Sequence, residues 1–491
     1  MENDAYQRLV QQFATIQDLN SAANTLDWYA RTKAPEAAQP GLGSQIATLR
    51  KQAHELLVGP RSADDLAAAE AREPWEAANL REMRRQHRLA TALPADFVEA
   101  QALAASRAQL VWERARPEGD FTAFLPALKE FLGHVRDRAR IQGQVLGLSP
   151  YDALLESHDP GRRNASITSM FGELETVLPG IVDRVRGGPK PAGPTGKKKR
   201  LKRVARRMMT MIGLPTTHAR LDTSSHPFTA GRPEDIRITT RYSGAPGEAL
   251  MAVLHECGHA LYIAGLPAAW RQQPVGAARG MTAHESQSLL IEMLACRSRG
   301  FAVHYARLLR DEFGEESAWD PDRLHAVLTH VQPGFMRVEA DEVTYPLHII
   351  VRYRCETAML DGTLDPADLP DAFDDAMAAL LGIRPGNPRE GCLQDPHWTL
   401  VEGWAYFPTY ALGALMAAQL AETMWAALPG LDGDLARGDF APLAGWLREI
   451  VHSRGCFDPS SDALLEHATG RPLDTGAFLR HLERRYLPGR S

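Results

Sequence analysis

Cysteine is scarce in this 491-residue chain: Cys257, Cys296, Cys355, Cys392 and Cys456 are the five. They are too few and too scattered for the disulfide framework of a secreted scaffold, and their odd number would leave one unpaired there, so a reducing, cytoplasmic compartment is expected. Long apolar runs are missing too. The first twenty residues interleave Glu2, Asp4, Gln7 and Arg8 with apolar positions and lack a signal-peptide core. The most apolar stretch, Tyr410 to Leu428, is Ala-rich and contains Gln419 and Glu422, which describes a buried helix better than a lipid-facing span of about 20 residues. Nor is positive charge in excess. With 55 Lys+Arg against 61 Asp+Glu the net charge is −6, which gives no electrostatic footprint for nucleic acid. Neither a membrane nor a nucleic-acid partner is expected, and any other partner has to be read from a site.

What the chain does have is the composition of an enzyme-sized globular protein, 44% hydrophobic and 24% charged. By division that is about three domains of about 150 residues. Leu9, Phe13, Ile16 and Leu19 recur at helical spacing, as do Phe124, Leu128, Phe131 and Leu132; each set makes one apolar stripe, so the fold is expected to be mainly α. Gly187 to Gly196 is dense in Gly and Pro, continues neither helix nor strand, and is the expected linker. In the basic run that follows, Lys197 to Arg203 with Arg206 and Arg207, Leu201, Val204, Met208 and Met211 form an apolar stripe. A solvated helix face accounts for the run better than a nucleic-acid or localisation patch. Asp235 to Tyr242 opens with alternating polar and β-branched residues and is the best strand candidate, with Asp235, Arg237 and Thr239 on one face. A second breaker cluster, Gly382 to Gly391, separates two helical regions. No repeat of solenoid period is visible.

Residues His255-Glu256-Cys257-Gly258-His259 form H-E-x-x-H between Leu250-Met251-Ala252-Val253-Leu254 and Ala260-Leu261-Tyr262. In a helix of about 3.6 residues per turn, histidines at i and i+4 lie about 40° apart, so both imidazoles can reach one ion. Glu256 sits about 100° from His255, close enough to take a proton from an activated water without being a ligand. Leu250, Val253, Leu254 and Leu261 cluster on the other side and anchor the helix to a core. Cys257 falls about 200° from His255 and reads as a small buried residue, not a third ligand. An ordinary helix with two surface histidines is the competing account.

A catalytic zinc usually has three protein ligands and one open position. The segment His284-Glu285-Ser286-Gln287-Ser288-Leu289-Leu290-Ile291-Glu292 offers a carboxylate on a second helix, with Glu285 and Glu292 at i and i+7 on one face. Glu285 is the expected ligand and Glu292 the residue that orients a ligand through a hydrogen bond, although a solvated helix face would also explain Glu292. His284 points elsewhere, to a structural or substrate-facing role.

At this point the chain resembles the carboxypeptidase Taq family of metallocarboxypeptidases. Besides the H-E-x-x-H segment, the family's signatures appear as His226-Pro227-Phe228, Asp235-Ile236-Arg237-Ile238-Thr239, His284-Glu285-Ser286-Gln287, Met336-Arg337-Val338-Glu339-Ala340-Asp341 and Gly391-Cys392-Leu393-Gln394-Asp395-Pro396-His397-Trp398. Their order and spacing look like the family's over nearly the whole chain, with one departure, Met336 where the pattern usually has Ile. The resemblance implies zinc on His255, His259 and Glu285, with Glu256 as general base. It also implies a helical deep-cleft fold of the neurolysin and angiotensin-converting type with a small β element near the site, and a homodimer. Co2+ is the expected functional substitute for Zn2+.

Peptide hydrolysis also needs a donor for the oxyanion. Related clefts use a tyrosine and a histidine, which points to Tyr410 and His397, with Tyr406 as a further substrate-facing candidate; a hydroxyl that only packs the wall is the alternative for either tyrosine. Recognition of a free C-terminal carboxylate favours a guanidinium. Arg337 comes first because it lies in a family motif, with Arg237 and Arg352 behind it and His226 as another substrate contact. An ion pair of Arg337 with Asp341 is the competing account, and Asp235, Arg237 and Asp395 could form an ion-pair scaffold. The expected function is a metal-dependent carboxypeptidase acting on peptides with a free C-terminus. An oligopeptidase or dipeptidyl carboxypeptidase with the same centre, and an idle peptide-binding scaffold, stay open. Because signatures from His226 to Trp398 must converge on one ion, residues 1–491 are expected to be one catalytic unit, with 1–186 as cleft wall or lid and 197–491 carrying the metal site.

Overall fold

The computed structural model describes residues 4–188, 197–224, 226–242, 246–314 and 319–487. Of the expected Gly/Pro linker, all but Gly187 and Gly188 lies outside them. The chain is mainly helical, as its periodicity predicts. The helix Asp4–Thr32 buries Leu9, Phe13 and Ile16, while Leu19 is partly buried. The helix Phe121–Leu146 buries all four residues of its stripe and is capped by Asp120, whose side chain accepts from the Ala123 N–H. The helix Lys198–Ile212 keeps its basic residues outward over Leu201, Val204, Ala205, Met208, Met209 and Ile212. Met211, expected beneath the charges, is only half-buried. No single described helix is long and apolar enough to cross a membrane. The apolar helix Phe407–Ala427 is buried along most of its length.

The β structure is larger than the one strand expected. β1 (Ala219–Thr223), β2 (Thr229–Arg232) and β3 (Asp235–Thr240) form a sheet of order β1-β3-β2. β3 is parallel to β1, with Leu221 opposite Ile238, and antiparallel to β2, with Thr229 opposite Ile238. β3 ends at Thr240, two residues short of the expected limit; Ile236 and Ile238 are buried while Asp235 is exposed.

Two compact units divide the chain. The first comprises 1–90, 191–328 and 416–473, and the second 91–190, 329–415 and 474–491. Each of the two regions set apart on sequence grounds, 1–186 and 197–491, therefore contributes to both units. The first unit holds the sheet and the helices Pro246–Gly265 and Gly280–Leu289. The second holds the helices Pro150–His158 and Tyr345–Asp361 and the irregular segment from Cys392 to the start of the helix at Phe407.

Candidate metal centre and active-site residues

The H-E-x-x-H segment lies in the middle of the helix Pro246–Gly265. Leu250, Val253, Leu254 and Cys257 are fully buried on its core side, and burial pushes the Cys257 thiol well above its ordinary range. Beside this core side, the helix meets the helix Gly280–Leu289 at very short range. A Cβ on Gly258 would lie 2.4 Å from the Gln287 carbonyl oxygen and 2.5 Å from the Ser288 Cα, so only a glycine fits at this crossing. The second helix runs on as a π-helical segment, Leu290–Ala295, which carries Glu292. Such a turn redirects side chains and recurs at functional sites.

Among the described residues, the group with metal-ligand spacing is His255, His259 and Glu285, whose ligand atoms lie within 4.8 Å of one another. Glu285 Oε2 is 3.8 Å from His255 Nε2 and 3.4 Å from His259 Nε2. The other nitrogens are held from outside. His255 Nδ1 is 3.0 Å from Glu292 Oε2, and since a carboxylate only accepts, the imidazole N–H is the donor. His259 Nδ1 is 3.0 Å from the His284 carbonyl oxygen, which likewise only accepts. Both Nε2 atoms therefore face Glu285 with a lone pair when the rings are neutral. Arg297 donates to Glu292 Oε1 at 2.5 Å, and Ser288 Oγ is 3.3 Å from Glu285 Oε2. Burial would raise Glu285, but His255 and His259 hold it down to about 2. Burial would lower His255, yet Glu285, Glu292 and Glu256 outweigh it and raise it to about 10. Three carboxylates thus face one imidazolium in the ion-free site. That charge excess, with two imidazole Nε2 atoms and a buried carboxylate, is the donor set of a divalent ion that takes the place of the His255 proton.

Glu256 is buried and acts electrostatically on His255 without being in the donor triangle. Its Oε2 accepts from Thr229 Oγ1 at 2.6 Å, and the same hydroxyl is 3.0 Å from its carbonyl oxygen. Thr229 opens β2, so the sheet fixes the rotamer of the acid, which is how the small β element comes to matter. Sequence reasoning missed Thr229, because the four residues of β2 carry no alternation. His284, for which a structural or substrate-facing role was open, has its Nδ1 2.7 Å from His259 Nδ1. Burial and the neighbouring His259 push His284 down to about 3, so it is a neutral partner of His259.

The second unit gathers other expected residues. Arg337 is buried, and instead of pairing with Asp341 it donates from Nε and Nη2 to Asp395 Oδ1 at 3.0 and 2.8 Å. Asp341 accepts backbone N–H groups of Gln332, Val343 and Thr344. Arg352 Nε donates to Asp395 Oδ2 at 2.6 Å, and the two guanidiniums overcome burial to hold Asp395 far below the carboxylate range. The ion-pair scaffold is therefore Arg337-Asp395-Arg352. Asp235 and Arg237 pair separately on β3, at 2.6 Å, with the Arg237 guanidinium 4.3 Å from the centre of the Trp28 ring. Tyr410 Oη is 3.4 Å from His397 Nε2, and the Tyr406 ring centre is 5.2 Å from that of Tyr410 and 5.7 Å from that of His397. Burial, with Arg337 and Arg352, pushes His397 down to about 3, which makes it a neutral imidazole. His226 is exposed on the loop between β1 and β2.

Residues 8–486 match the family described as Carboxypeptidase Taq (M32) metallopeptidase. The chain is 35% identical to thermostable carboxypeptidase 1 of Thermus thermophilus over 507 residues, covering 98% of each. It is 32% identical to thermostable carboxypeptidase 1 of Pyrococcus furiosus, covering 99% of each. Metallocarboxypeptidase 1 of Trypanosoma cruzi superposes with a TM-score of 0.94 at 32% identity, covering 99% of this chain and 100% of that one. Fold, metal cluster and match along the chain agree: the protein belongs to the carboxypeptidase Taq family of metallopeptidases.

Proposed function

We propose that the chain removes C-terminal residues from peptides with a free C-terminus, using Zn2+ held by His255, His259 and Glu285, with Co2+ as a functional substitute. The observation that carries this reading is the donor triangle with Glu256 fixed beside it by Thr229. A divalent ion there supplies Lewis-acid activation of water and of the scissile carbonyl. Glu256 takes the proton of the attacking water and delivers it to the leaving amine, and the Thr229 hydroxyl holds its carboxylate in the rotamer that does so. Tyr410, with neutral His397, donates to the developing oxyanion. Tyr406 packs against both and, with Arg237 and His226, contributes to substrate binding. Arg337 spends Nε and Nη2 on Asp395, which leaves Nη1 as its point of contact with a substrate carboxylate. In this reading residues 1–491 act as one catalytic unit. Assembly as a homodimer follows from the family resemblance, and the five free, buried thiols accord with a reducing, cytoplasmic setting.

The test is one peptide offered with a free and with an amidated C-terminus, with products read by mass spectrometry and metal content measured alongside. Hydrolysis of the free peptide alone, one residue at a time, is expected, with chelator abolishing it and Zn2+ or Co2+ restoring it. Glu256→Gln is expected to keep stoichiometric metal and lose about 100-fold or more in kcat. Equal cleavage of the amidated peptide would establish the oligopeptidase reading instead, and an active Glu256→Gln variant would remove the general base.

A further inference from the structure

A buried carboxyl that this chemistry does not use lies on the helix Tyr345–Asp361. Glu356 is fully buried. Its Oε1 bonds to the Tyr151 hydroxyl at 2.5 Å, and its Oε2 accepts the backbone N–H of Ala405 at 3.1 Å. Neighbouring cations are committed elsewhere: Arg352 to Asp395 and the His348 carbonyl, Arg354 to Glu175, and Arg138 of the helix Phe121–Leu146 to Glu402 and the Val401 carbonyl. The titratable groups that feel the charge of Glu356 are Tyr151 across from it and Tyr353 and Cys355 on its own helix. None of the three supplies a cation. A carboxylate buried without a counter-charge takes up a proton, and burial, against the two hydrogen bonds, pushes Glu356 up to about 8.

The far side of the Ala405 bond is unusual. Ala405 has φ 59°, and among the described residues it is the non-glycine residue with a positive φ. Its Cβ disfavours that conformation, which persists only where the surroundings hold it. Here they do: Ala405 is fully buried, Glu356 takes its N–H, and the preceding carbonyl, that of Trp404, is 3.1 Å from His158 Nε2. The next residue is Tyr406, whose ring is wedged by His158, His397 and Tyr410. The helix carrying Tyr410 starts one residue later.

We propose that Glu356 is a positioning residue: as a neutral carboxylic acid it holds the Trp404-Ala405-Tyr406 turn, and through it the face formed by Tyr406, Tyr410 and His397, in the geometry that peptide hydrolysis uses. This rests on the reading of Tyr410 and His397 given above. In the neutral acid Oε1–H can donate to the Tyr151 oxygen while Oε2 still accepts from Ala405, so both bonds survive protonation. Loss of the proton leaves a buried charge with no cation beside it, and the local opening that lets water reach that charge loosens the turn.

The test compares kcat and KM of wild type, Glu356→Gln and Glu356→Ala between about pH 6 and about pH 10. Glutamine has the same shape, keeps an acceptor for Ala405 and carries no charge at any pH. The wild-type kcat is expected to fall above about 8. Glu356→Gln is expected to stay within about twofold of wild type at neutral pH and to lose that alkaline fall. Glu356→Ala should lose about tenfold or more in kcat, with KM and metal content little changed. An alkaline fall unchanged in Glu356→Gln, or a wild-type kcat in Glu356→Ala, overturns the proposal; if the alanine variant does not fold, the glutamine profile decides alone. Tyr410→Phe in the same assay separates the two ideas. A wild-type rate there overturns the oxyanion reading, whereas wild-type rates and pH profiles in both Glu356 variants overturn the positioning.

Discussion

Around His255 the balance of charge decides how the site meets its ion. Burial alone would make the imidazole hard to protonate, but Glu285, Glu292 and Glu256 keep the proton on to about 10. A metal ligand must be a bare nitrogen, so an ion has to displace that proton. The sign follows: below about 10 the ion-free site holds one proton that the loaded site lacks, and metal affinity rises with pH. Between about pH 6 and about pH 8 the affinity is expected to rise about tenfold per unit, with about one proton released per ion. Competition with a chromogenic chelator measures the first, and calorimetry in buffers of different ionisation enthalpy measures the second. Glu292→Gln removes one of the three charges and the carboxylate that orients His255, and should weaken binding about 10- to 100-fold. A pH-independent affinity in the wild type would show that His255 is not a protonated ligand.

Between elements, the crossing of the helices Pro246–Gly265 and Gly280–Leu289 at Gly258 lets a carboxylate on one reach two imidazoles on the other. Gly258→Ala puts a Cβ against backbone atoms of Gln287 and Ser288, which have no rotamer with which to yield. The helices must part, at a cost of about 1–3 kcal/mol, and Glu285 moves away from the histidines. A lower midpoint in thermal unfolding and at least about tenfold weaker metal binding are expected together; wild-type values of both would mean the crossing has slack. The same crossing shows what the sequence could disclose. His255, Glu256 and His259 are one helical turn apart and were legible from spacing alone, and Glu285 and Glu292 were legible as a shared face. The closeness at Gly258, the π-helical turn under Glu292 and the Thr229 bond to Glu256 are tertiary facts. Arg337 illustrates the same limit. Asp341 stood at the helical distance for a pair, but Arg337 lies in a short 3-10 turn, Arg337–Glu339, and its partner is 58 residues away. β1 and β2 escaped notice because ARLDT and TAGR are too short to show a period of two.

At the scale of the whole molecule, the candidate donor residues sit on elements that the core already holds. The helix carrying His255 and His259 buries Leu250, Val253, Leu254 and Cys257. The helix carrying Glu285 is fastened at its start by Arg279, which donates to Glu82 at 2.7 Å, and along its length by Gln287, which meets His452 Nε2 at 2.9 Å. None of these contacts involves the donor atoms of the metal site. The chain therefore differs from a zinc finger, in which ligand bonds replace a core, and removing the ion should stop turnover without unfolding the protein. Binding adds only its mass-action term, about 2.7 kcal/mol when free ion exceeds its Kd a hundredfold. For a unit of this size that corresponds to about 5 °C in the unfolding midpoint. Circular dichroism of chelated and reloaded protein should then superimpose in the far ultraviolet at 25 °C, with the chelated sample melting about 5 °C lower and regaining activity on adding Zn2+. Loss of helical signal on chelation would mean that the ion, and not the packing of these two helices, holds the first unit together.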